Sequence, residues 1–124
     1  MEIIFVLDLL FLKNKMKFEV KRKYLSVNPE LFVQRFCGYA RIVDHVTNQE
    51  SFANRLTRDF YPRFHLYLEN KFDAGEEIVI FSLHLDQKKS GQSDTRHSAE
   101  YDGELVEGEV ARLKSLVIAN YQQG

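Results

Sequence analysis

RFHLYLENKFDAGEEIVIFSLHLD, residues 63–86, reads as a β-hairpin. In its first arm Phe64, Leu66 and Leu68 alternate with His65, Tyr67 and Glu69, the period of two that a strand imposes on its side chains. The second arm sets Val79, Phe81, Leu83 and Leu85 on one face and Ile78, Ile80, Ser82, His84 and Asp86 on the other. NKFDAGE reads as the connecting loop. Pairing parity decides which faces merge. The uniformly apolar set should join Phe64, Leu66 and Leu68 over the core, which leaves His65, His84 and Asp86 as a polar patch on the opposite face.

Upstream, KFEVKRKYLS alternates as a half-buried strand, with Phe18 and Val20 inward and Lys17, Glu19, Lys21 and Lys23 outward. NPELFVQRFCG predicts a short helix: Asn28 caps it, Pro29 takes the first helical position, Gly38 stops it, and Leu31, Phe32 and Phe36 form its apolar face. YARIVDHV reads as a short edge strand. TNQESFANRLTRDFYP predicts a second helix, because Thr47 and Glu50 have capping-box spacing and Phe52, Leu56 and Phe60 recur every four residues.

Downstream, Gln87–Tyr101 reads as a polar loop and DGELVEGEVARLKSLVIAN as a closing helix capped by Asp102. Val106, Val110, Leu113 and Val117 follow the amphipathic i, i+4, i+7, i+11 pattern. The expected fold is α+β: an antiparallel sheet of about three strands with helices on one face, in the order β-α-α-β-β-α. The expected boundaries are a single domain over residues 16–120, an extension over 1–15 and a tail over 121–124. Met16 opens the first strand, and translation starting there would make residues 1–15 an artefact of assignment.

The apolar run Ile3–Leu12 is about half the length needed to span a bilayer and is interrupted by Asp8. Its lysines follow it, unlike those of a secretory signal. The reading is no integral membrane segment. One cysteine, Cys37, precludes an intrachain disulfide and fits a reducing, cytoplasmic setting. Flanked by Phe36 and Gly38, it reads as a small buried residue and not as a nucleophile.

The net charge of −1 disfavours a generic nucleic-acid binder. Residues 1–65 nevertheless carry eleven Lys and Arg against seven Asp and Glu, and residues 66–124 carry six against eleven. With Tyr24, Tyr39, Tyr61 and Tyr67 set near Lys23, Arg41, Arg58 and Arg63, this supports a nucleic-acid or protein partner docking on the basic half.

FSLHLDQKKSGQSDTRHSAEYDG, residues 81–103, gathers two histidines, three aspartates and a glutamate. Three readings compete. A divalent zinc, manganese or iron site would use His65, His84, Asp86 and His97, though without a diagnostic ligand spacing. Metal-free acid–base chemistry would use His84 and His97, with Lys88 or Lys89 as the cation and Glu100 as a second carboxylate. LDQK also matches the D-x-K end of a metal-nuclease strand, with Asp73 as the upstream acid. In the third reading these residues only end a strand, anchor a loop and cap a helix.

NPELFVQRFCGYARI, ESFANRL, FYPRFHLYLE and FSLHLDQK with the later HSAEYDG resemble a family of small bacterial proteins, over Met16–Leu116. That family has no established activity, so the resemblance implies no catalytic assignment. The order of elements is similar to that of the RelE-like toxin ribonucleases in layout alone.

Overall fold

The hairpin spans the residues its sequence suggests, with a tighter turn, and carries the sheet. The computed structural model describes residues 15–87 and 95–123, and the side chains of residues 16–87 and 103–121. Five strands form one antiparallel sheet: β1 (Lys15–Lys21), β2 (Ala40–Val43), β3 (Glu50–Arg55), β4 (Arg63–Asp73) and β5 (Glu76–Asp86). Their spatial order is β1-β5-β4-β3-β2. Among the described residues, helix α1 (Pro29–Arg35) and the long α2 (Thr95–Gln123) accompany the sheet, with a short 3-10 turn at Arg22–Tyr24. The expected sheet of three strands in the order β-α-α-β-β-α is therefore incorrect; the order is β-α-β-β-β-β-α.

Strands β4 and β5 pair in register from Arg63–Asp86 to Asp73–Glu76. The expected loop NKFDAGE is mostly strand, and only Ala74 and Gly75 turn, both with positive φ (53° and 81°). Two consecutive left-handed residues match the twist of the flanking strands, as primed turns do. Phe64, Leu66 and Leu68 lie opposite Leu85, Leu83 and Phe81, the merging that parity requires. Leu66, Phe81 and Leu83 are completely buried.

Residues 47–62 are not a helix. Asp44 accepts hydrogen bonds from the backbone N–H groups of Val46 and Thr47, Asn48 takes the left-handed conformation, and the chain returns as β3 against β2. The Thr47 hydroxyl accepts from the Gln49 N–H, so the capping-box spacing goes unused. Phe52 lies opposite Leu66 and is buried in the core, whereas Phe60 is 51% exposed beyond the strand. Their four-residue spacing is thus not a helical stripe. An open edge of β4 offered a short segment more pairing and burial than its weak helix propensity could match.

Helix α1 starts as expected: the Asn28 side chain accepts from the Leu31 N–H at 2.8 Å and Pro29 occupies the first turn. Gly38 has φ +84°, which glycine adopts without strain. Its buried face is Phe32 and Val33, while Phe36 points outward. Helix α2 begins at Thr95, before the expected Asp102 cap, and lays Val106, Val110, Leu113 and Val117 on the sheet. Phe18 of β1 stacks on Phe81 of β5 beneath it, ring centroids 4.7 Å apart. Among the described residues no helix is long and apolar enough to cross a membrane.

One ion-pair cluster ties α2 to the α1–β2 connection. Glu109, 6% exposed, accepts the Tyr39 hydroxyl at 2.5 Å and two Arg112 hydrogen bonds at 2.8 Å. Arg112 also donates to the Cys37 carbonyl at 2.7 Å. Burial, and then Glu109, push the Tyr39 phenol far above its ordinary range, so it remains a donor. Glu109→Ala should destabilise the protein by about 2 kcal/mol in urea denaturation, because a buried hydroxyl and a guanidinium lose a charged partner. Ala74→Gly should stabilise it by about 1 kcal/mol, because it relieves a Cβ held in the left-handed region.

Candidate functional site

The face of the sheet away from α2 carries the polar patch that parity predicts, and a residue that the sequence did not point to completes it. His65 projects from β4 opposite His84 of β5, and Arg63 opposite Asp86. Asp86 is therefore diagonal to His65, a separation that long side chains bridge. His65 Nδ1 donates to Asp86 Oδ2 at 2.9 Å, and Arg63 Nε donates to the same oxygen at 3.2 Å. Ser51, on β3, reaches His65 Nε2 from the other side with its Oγ at 2.8 Å.

These contacts define the tautomer. Burial works to raise the Asp86 pKa, but the His65 and Arg63 hydrogen bonds and charges outweigh it and hold the carboxyl below its ordinary range. An ionised carboxylate only accepts, so Nδ1 carries a proton; with the imidazole neutral, Nε2 presents its lone pair and the Ser51 hydroxyl donates to it. The imidazole stacks on Tyr67, centroids 4.6 Å apart, and Tyr67 meets the His84 ring edge-on. Ser51 is 5% exposed and lies in a depression of about 320 Å³ that is also lined by Gln49, Phe60, Arg63 and Tyr67. His84 and Asp86 line an adjoining depression with Tyr61.

Hydroxyl, imidazole and carboxylate in this sequence of contacts form a proton relay: the imidazole can accept the hydroxyl proton while the carboxylate stabilises the resulting cation. Both ring nitrogens of His65 are engaged, which leaves no lone pair facing a cation. Among the described residues no group of three or more His, Cys, Asp or Glu side chains is placed to hold a metal ion. The backbone positions of His97 and Glu100 fall in the first turns of α2, and their side chains lie outside the described ones. Lys88, Lys89 and Asp94 lie outside the described residues altogether. Asp73 sits at the far tip of the hairpin from Asp86, so it does not complete a D-x-K nuclease pattern.

Cys37 is buried and its thiol is pushed up to about 12 by burial, which makes it unsuited to attack. The basic strand is also less free than its composition implies. Lys21 and Lys23 both contact Glu76 at 3.3 Å, and Lys71 contacts Glu19 at 2.9 Å.

Sequence reasoning missed Ser51 because it placed that residue on a helix; only the β2–β3 return brings it to His65. Arg63 was legible, since it shares the parity of His65 in the same strand. The chain matches no family model, no curated protein and no solved structure.

Asp86→Asn should lower stability by about 1–2 kcal/mol at pH 7 through loss of two charge-assisted hydrogen bonds. The folded-state pKa of Asp86 is depressed, so this contribution is present above the unfolded value of about 4 and is lost as pH falls through the lower folded value. Urea denaturation of both proteins should show the gap at pH 7 and its narrowing below about pH 4.

Proposed function

We propose that the open sheet face is a metal-free hydrolytic site. Ser51 is the nucleophile, His65 the general base and Asp86 the carboxylate that orients His65. The observation that carries this reading is the pair of His65 hydrogen bonds, Nε2 to the Ser51 hydroxyl at 2.8 Å and Nδ1 to Asp86 at 2.9 Å. In the reaction, Ser51 Oγ bonds to the acyl carbon of an ester as its proton passes to Nε2. His65 then returns that proton to the departing alcohol oxygen. Water then attacks the acyl carbon as its proton passes to Nε2, and His65 returns that proton to the departing Ser51 Oγ, which restores the serine and releases the acid. Tyr67 supports the plane of the imidazole and Arg63 holds Asp86 ionised.

Two measurements test the assignment together. A fluorophosphonate probe should label the wild-type protein at Ser51, as read by peptide mass spectrometry, and neither Ser51→Ala nor His65→Ala should react. Hydrolysis of short 4-nitrophenyl esters should fall by about 100-fold or more in both variants, with circular dichroism showing the fold retained. Labelling that survives in Ser51→Ala, or a wild-type protein inert to both reagents, would overturn the reading.

A further inference from the structure

Arg55 and Arg63 lie directly opposite each other on β3 and β4, on the same face of the sheet. Like charges in that position repel, and a sheet that keeps them needs a reason. Arg63 is answered by Asp86. Arg41, on the neighbouring strand, is answered by Glu50. Among the described residues Arg55 has no carboxylate partner. What holds it is the Phe60 ring, whose centroid lies 5.2 Å from the Arg55 guanidinium carbon and 4.5 Å from that of Arg63. The ring positions both cations by cation–π attraction without neutralising either.

Arg55 and Arg63 line a depression of about 370 Å³, lined also by Ala40, Ala53, Asn54 and Phe60, and no described carboxylate lines it. Ile42, Phe60 and Arg63 line this depression and the one that holds Ser51 and His65, so the two adjoin. A planar guanidinium fixed beside a second cation, with small side chains leaving room in front, is a receptor for an oxyanion.

We infer that Arg55 binds an oxyanion carried by the substrate, a phosphate or carboxylate group set beside the ester that Ser51 attacks. This rests on the hydrolytic reading for its neighbour and on the Arg55–Arg63 pair for itself. Phe60 is a positioning residue that keeps Arg55 turned toward the depression.

The probes are inorganic phosphate and acetate, titrated separately into the ¹⁵N-labelled full chain at constant ionic strength, with amide and Arg Nε–H shifts followed by NMR. Residues 53–55 and the Arg55 side chain should shift saturably with one or both anions, and the tighter of the two identifies the group. Arg55→Gln should weaken that binding by about tenfold or more, the loss of one charge-assisted partner, while Ser51→Ala should bind as wild type does. Shifts that do not saturate, that map elsewhere, or that persist in Arg55→Gln would overturn the inference. Anion binding that survives with no ester hydrolysis would sink the hydrolytic reading alone, and hydrolysis without anion binding would sink this one alone.

Discussion

The unslipped register of β4 against β5 is the constraint on which the rest depends. A shift of β4 by one residue would turn Leu66 outward and bury His65 against the apolar face of β5. That alternative would strand an imidazole in an apolar core at a cost of a few kcal/mol. The hairpin therefore has one stable pairing, and its edges then template the neighbours: β1 on the outer side of β5, β3 on the outer side of β4. The core and the polar face are two outcomes of the same alternation.

A second tie works across layers. The core face is covered by α2, but hydrophobic contact does not by itself determine where the α1–β2 connection crosses it. The Glu109 carboxylate does, because it joins Tyr39 to α2, and Arg112 joins the Cys37 carbonyl to the same helix. With Tyr39 fixed, β2 begins at Ala40 in place to pair with β3. A buried polar network of this kind demands one geometry where apolar surfaces would accept several.

Local chemistry was legible in the sequence, and tertiary choice was not. Asn28–Pro29 and Gly38 gave the ends of α1 through backbone effects that act within a few residues. The stripe of Val106, Val110, Leu113 and Val117 gave the buried face of α2, and strand parity put His65, His84 and Asp86 together. Residues 47–62 failed because a capping spacing and three evenly spaced apolar residues arise by coincidence. An Asx turn at Asp44 and a waiting strand edge then decided the outcome. Ser51 was lost with that error, so two of the three groups in the chain of contacts, His65 and Asp86, were readable and the hydroxyl was not. The remote histidine and glutamate of the expected site, His97 and Glu100, belong to the backbone of α2, whose start no cap residue near Asp102 announced.

Ser51, His65 and Asp86 stand on three adjacent strands with no loop residue among them. Their mutual distances are therefore set when the sheet forms, and little rearrangement is left for the moment of binding. The segment between β3 and β4 is irregular, and from it Phe60 and Tyr61 line the depressions on this face. Variation in that segment would reshape the depressions while leaving the Ser51–His65–Asp86 contacts beneath them unchanged. Under the proposed hydrolytic reading, such a division lets recognition diverge without retuning the reaction.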